Sequence, residues 1–174
     1  MMASVSGAKM KGIKRISSEF VPVEDRVRLS AEYDDNEIQS LWLTKRLLDR
    51  LIAPLCEWIE KDVGTDISNK LVNSFVQERA YLGIKKQESV KTTEAVSDWL
   101  IMSIDINRSN SLAKITFRGV ENQCGFIEFN KNALRQWLGI IYRQYVAADW
   151  DISIWPNWMT SGSVSEQMSA NLLN

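Results

Sequence analysis

The chain has 174 residues, a formal net charge of -1 and no histidine. This length predicts one domain that can bury most of its apolar surface without disulfides or metal. The absence of histidine excludes Ser-His-Asp and Cys-His catalysis, and the lack of a basic excess argues against nucleic-acid binding.

The first elements are predicted from residues 1 to 43. Residues 1–12 are small, polar and basic, which predicts a disordered N-terminal arm, and a single domain is predicted over 13–159. Residues 13–23 read as an irregular extended stretch, because Pro22 disfavours a central strand. Alternating apolar residues then predict a strand at 26–33, an Asp/Asn-rich turn, and a returning strand at 38–43.

Two helices are predicted next. Thr44 has the character of an N-cap, and apolar residues at i, i+3, i+4 spacing predict an amphipathic helix of about four turns, with a kink or break at Pro54. A second helix is predicted from Ser68 to about Leu82. Its narrow apolar stripe consists of Leu71, Val72, Phe75 and Val76.

The second half of the chain repeats this order of elements. Strands are predicted at 99–107, 112–118 and 126–129. Asn130 then caps a helix that runs to about Ala148. A flexible C-terminal tail is predicted over 160–174, where Ser and Asn are frequent.

An internal repeat relates the two halves. A shift of 86 residues places the segment at about 26–62 on the segment at about 112–148 without a gap, and Thr44 falls on Asn130. Either a β-β-α unit was duplicated, or any hairpin followed by a capped helix would match equally well. The sequence therefore predicts an α+β fold: an antiparallel sheet of about five or six strands with helices packed on one face, built by internal duplication.

The aromatic segment at 150–158 is the predicted partner-binding site. Its apolar residues are of the types that anchor protein interfaces: Trp150, Ile152, Ile154, Trp155 and Trp158. The competing interpretation is an edge strand that completes the protein's own core.

No motif for catalysis, nucleotide binding or metal binding was found. Neither standard phosphate-binding glycine loop is present, and Cys56 and Cys124 form no C-x-x-C pair, so no cofactor and no metal are predicted. The acidic turn at 34–37 lacks the ligand spacing of a calcium loop and is interpreted as a plain turn.

The functional prediction is a non-enzymatic protein–protein interaction or assembly protein that acts as a homo-oligomer. Its expected partners are a second copy and another protein. No stretch approaches the roughly 20 apolar residues of a membrane span, and the N-terminus lacks a hydrophobic signal core, so the predicted location is cytoplasmic. The alternative is a small-molecule-binding or carboxylate-dependent enzymatic domain with a cleft between the two repeats.

Overall fold

The structure is a computed structural model that describes residues 10–61, 67–85 and 88–160. Residues 1–9 of the predicted arm and 161–174 of the predicted tail lie outside these ranges. Within them the chain forms seven strands: β1 Lys11–Val21, β2 Arg26–Tyr33, β3 Ile38–Leu43, β4 Ser97–Leu100, β5 Ser103–Arg108, β6 Leu112–Arg118 and β7 Cys124–Asn130. It also forms three α-helices, α1 Lys45–Glu60, α2 Ile67–Leu82 and α3 Lys131–Ala147, and a 3-10 helix at Thr92–Glu94.

All seven strands belong to one sheet that is curled into a half-barrel, in the order β4-β3-β2-β1-β7-β6-β5. The β3–β4 and β1–β7 pairs are parallel, and the other pairs are antiparallel. The α+β class is therefore correct, but the predicted antiparallel sheet of five or six strands is wrong. Parallel neighbouring strands need long crossover connections, and here α1 and α2 connect β3 to β4. The hydrophobic pattern of a single strand does not indicate which distant strand will pair with it.

The strand predicted at 99–107 is in fact two strands at opposite edges of the sheet. The chain leaves β4 and enters β5 at Ile101 and Met102. The Ile101 N–H donates to the Trp42 carbonyl on β3, and the Met102 N–H donates to the Arg118 carbonyl on β6. Because β4 and β5 are the two edge strands, this two-residue link holds the edges of the sheet close together and the sheet curls into the half-barrel.

β1 is a central strand, although the sequence predicted an irregular segment there. Pro22 follows the last residue of β1, so its missing N–H removes no bond from the ladder. β1 pairs with β7 only at Lys11 and Gly12. Further along, α3 covers the open side of β1, since the Phe20 N–H donates to Gln144 Oε1 at 2.8 Å.

Both long helices begin at the predicted caps. The Leu47 N–H donates to Thr44 Oγ1 at 3.4 Å, and the Ala133 N–H donates to Asn130 Oδ1 at 2.8 Å. α1 continues through Pro54 without the predicted break. Its apolar side is buried on both sides of the proline, and packing of this kind supplies most of a helix's stability.

A single hydrophobic core joins the sheet to α1 and α3. The two helices turn their apolar stripes inward, as their sequence periodicity requires. The hydroxyl of Tyr145 on α3 donates to Asp49 Oδ1 on α1 at 2.6 Å and connects the two helices. α2 takes no comparable part in this core and packs mainly on α3.

Candidate functional site

The apolar side of α2 faces solvent. The exposed fraction is 60% for Leu71, 67% for Phe75 and 76% for Leu82. Together with Val72 and Val76, which are also exposed, these residues are named the apolar face of α2. An amphipathic helix normally turns such a stripe toward the core. Here the stripe that the sequence indicated exists, but it points outward.

The opposite side of α2 is polar and buried against α3. Gln77 Nε2 donates to the backbone carbonyl of Arg135 at 2.8 Å, and Arg135 Nη2 donates to Asn73 Oδ1 at 2.7 Å. Gln136 Nε2 donates to the Ala80 carbonyl at 3.1 Å. We call this set of contacts the polar seam. Because buried hydrogen-bond partners are costly to separate, the seam fixes the rotation of α2 about its own axis.

The Tyr81 ring of α2 adds to the seam, because it packs closely against Gly139 of α3. A Cβ atom added at Gly139 would lie 2.8 Å from Cδ2 of Tyr81, so only glycine fits there without a shift of the ring. The guanidinium of Arg143 lies 4.2 Å from the centre of the same ring. The apolar residues of α3 face the hydrophobic core, so the outer side of α3 is polar. It therefore accepts the polar side of α2 and leaves the apolar side uncovered.

The apolar face of α2 is large for a surface patch. Its five side chains expose roughly 500 Å² if side chains of this size expose about 150–200 Å² when fully free. A patch of about 300–600 Å² is the largest on a typical monomer and is often functional. The helix that carries it has 16 residues and is about 24 Å long.

The structure divides the predicted partner-binding segment at 150–158 between core and surface. Trp155 and Trp158 belong to the hydrophobic core, and Trp150 is half-buried against it. Ile152 and Ile154 are exposed, at 39% and 37%. The segment forms no strand, so it is not the edge strand of the competing interpretation.

The buried tryptophans of this segment hold it against the helices. The Trp155 ring lies edge-on to Tyr142 and Tyr145, each at 5.4 Å between ring centres. Trp158 Nε1 donates to Glu60 Oε1 at 2.6 Å, which ties the segment to the end of α1. These contacts explain why aromatic residues crowd the C-terminal quarter of the chain.

Burial favours the neutral forms of two core groups, the Tyr145 phenol and the Cys56 thiol. Burial, and then the hydrogen bond to Asp49, raises the pKa of Tyr145. Burial raises the pKa of the Cys56 thiol to about 12, which keeps this cysteine in its unreactive form. Cys124 is half-buried, and both cysteines are free thiols.

The acidic turn between β2 and β3 is engaged in ion pairs. Lys11 Nζ lies 2.8 Å from Asp35 Oδ2 and 2.9 Å from Glu37 Oε2. The hydrogen bond from Lys11 is the main cause that lowers the pKa of Asp35, while for Glu37 the bond from Gln39 is the larger cause. The turn is thereby tied to the start of β1. Across the described parts of the chain, no three His, Cys, Asp or Glu residues are grouped so as to hold a metal ion.

Comparison with protein-family models, with curated proteins and with solved structures found no match for this chain. Of the helices that the structure describes, none combines the length and the apolar character needed to cross a bilayer.

Proposed function

We propose that this protein is a non-enzymatic assembly protein that binds other proteins and acts as a homo-oligomer. The observation that carries the proposal is the apolar face of α2, whose residues stay exposed while the polar seam fixes the other side of the helix. A helix free to rotate would turn its apolar side toward the protein. Because the seam prevents this, the apolar face gains most by contact with another molecule.

The free energy available supports association. Complete burial of a Val, Leu or Phe side chain contributes about 1.5–3 kcal/mol, and the five residues of the face have about half of that gain left. Part of it offsets the lost freedom of the partners. When the face of each of two copies is buried, the gain is about 8–15 kcal/mol, which is of the same size as the association cost of about 4–15 kcal/mol and therefore fits a weak, reversible interface.

The edges of the sheet are less suited to this role. β4 has four residues and carries Asp98, and β5 carries Asp105 and Arg108. Short edge strands with charged side chains discourage pairing with another chain. Within the C-terminal segment, the proposal assigns partner contact to Ile152 and Ile154, while the buried tryptophans support the segment from inside.

The proposed location is the cytoplasm. Cys56 and Cys124 are unpaired thiols, as is usual in a reducing compartment.

Sedimentation velocity of the purified full chain between about 1 and 100 μM tests self-association. We expect a concentration-dependent dimer or larger species, and Phe75→Glu should shift it toward monomer. Val23→Glu is the matched control, because Val23 is 92% exposed on the turn after β1, away from α2. A monomer throughout this range would overturn the proposal of a homo-oligomer.

A further inference from the structure

We infer that two copies of the chain dock α2 against α2 as an antiparallel pair about a two-fold axis. The axis passes level with the peptide bond between Asn73 and Ser74. The inference rests on the proposed function and specifies the partner and the register of the same surface. It is supported by area, by charge and by the size of the facing side chains.

The exposed area suits a homodimer. A standard interface buries about 800 Å² on each partner, and in homodimers about 65% of it is apolar. In this register Leu82 lies opposite residue 65, which precedes α2, so the other four residues of the face supply about 370 Å², the apolar share of a smaller, reversible interface of about 600 Å² on each partner. Polar residues beside α2 would supply the rest, as the rim of an interface normally does.

The charges on α2 suit a second copy better than a strongly charged partner. Lys70, Glu78 and Arg79 are exposed near the face, so both signs are present along one helix. A surface with mixed charge does not repel its own copy. It also gives no electrostatic preference for an acidic or a basic partner.

One register places large side chains against small ones. In an antiparallel pair with the axis between residues 73 and 74, Leu71 of one copy faces Val76 of the other. Val72 likewise faces Phe75, and both contacts occur twice because a two-fold interface is self-complementary. Large side chains opposite small ones can interdigitate at native packing density.

Another register is excluded by burial of charge. With the axis at Phe75, Leu71 would face Arg79 and Val72 would face Glu78. Each charged group would then lose water against an apolar partner with no opposite charge to compensate. The register centred between residues 73 and 74 avoids this, since Glu78 then faces the polar Asn69.

A complementation experiment tests the register. Leu71→Lys and Val76→Glu are made separately in the full chain, and association is measured by sedimentation velocity. Each variant alone should weaken the dimer Kd by about tenfold or more. An equimolar mixture should restore dimer formation, because in the mixed dimer the new lysine faces the new glutamate and the second Leu71–Val76 contact is native.

The control mixture combines Leu71→Lys with Phe75→Glu. These two positions do not face each other in the inferred register, so this mixture should recover much less dimer. Leu71 and Val76 are 60% and 40% exposed, so we expect both variants to keep the core intact, and circular dichroism checks that each variant is folded.

The outcomes separate the inference from the proposed function. A wild-type dimer that both variants dissociate and only the matched mixture restores supports the register. A wild-type dimer that neither variant weakens overturns the α2 pairing while self-association stands. A wild-type dimer that both variants dissociate but the matched mixture does not restore overturns the inferred register. A wild-type monomer overturns both.

Discussion

Removal of the Asn73 side chain tests whether the polar seam fixes α2 on α3. Asn73 is 2% exposed, and its Oδ1 accepts a 2.7 Å hydrogen bond from the buried Arg135 guanidinium. In Asn73→Ala the guanidinium loses this acceptor. The outward direction of the apolar face depends on the seam, so the variant probes the basis of the proposed function.

The expected cost follows from the type of bond. A hydrogen bond to a charged group contributes about 1.5–3 kcal/mol. Alanine has a higher helix propensity than asparagine, and this stabilises the variant by about 0.5 kcal/mol. The net loss in the free energy of unfolding is therefore about 1–2.5 kcal/mol, which for a domain of this size lowers Tm by about 2–4 °C per kcal/mol.

Urea denaturation measures the global loss, and amide hydrogen exchange locates it. We expect faster exchange in α2 and little change in β2 and β6, since opening α2 leaves the sheet intact. Ser74→Ala is the matched control, because Ser74 Oγ donates only to Lys70 in the same helix. Equal stability and equal exchange in the two variants would refute the role assigned to the seam.

Three further predictions concern the domain that carries α2. Asn130→Ala should lower the free energy of unfolding by about 1 kcal/mol. Thr44→Ala should lower it by less, because the hydrogen bond of the Thr44 cap is longer. Thermal melts that show the reverse order would contradict this. Gly125→Ala should cost about 1–3 kcal/mol in urea denaturation, because the new Cβ would lie 2.6 Å from Oη of the buried Tyr33; a neutral result would mean that the ring can move. Trp155→Ala should cost about 3–5 kcal/mol by the same assay, and a loss below about 1 kcal/mol would be incompatible with a core position.

The sequence located several of the local elements accurately, but not β1 or the division between β4 and β5. The predicted bounds of β2, β3 and β6 agree with the structure, as do the N-caps Thr44 and Asn130. Side-chain alternation and capping depend on residues that are near one another in the chain. Such features can be recognised before the fold is known.

The pairing of distant strands was not predictable in this way. β1 and β7 meet across more than half of the chain, and β4 joins β3 only after two helices. The break at Ile101 and Met102 arises because the two halves of one apolar run bond to different partners. Nothing in the run itself marks that point.

The candidate site shows the same division. The amino-acid sequence by itself determined that α2 has an apolar stripe containing Leu71 and Phe75, because periodicity fixes which residues share a side of a helix. Only the tertiary structure decided that this stripe faces solvent. The outer side of α3 presents Arg135, Gln136 and Gly139, which fit the polar side of α2. Because buried polar groups need hydrogen-bond partners, α2 packs its polar side against α3 and leaves its apolar side exposed.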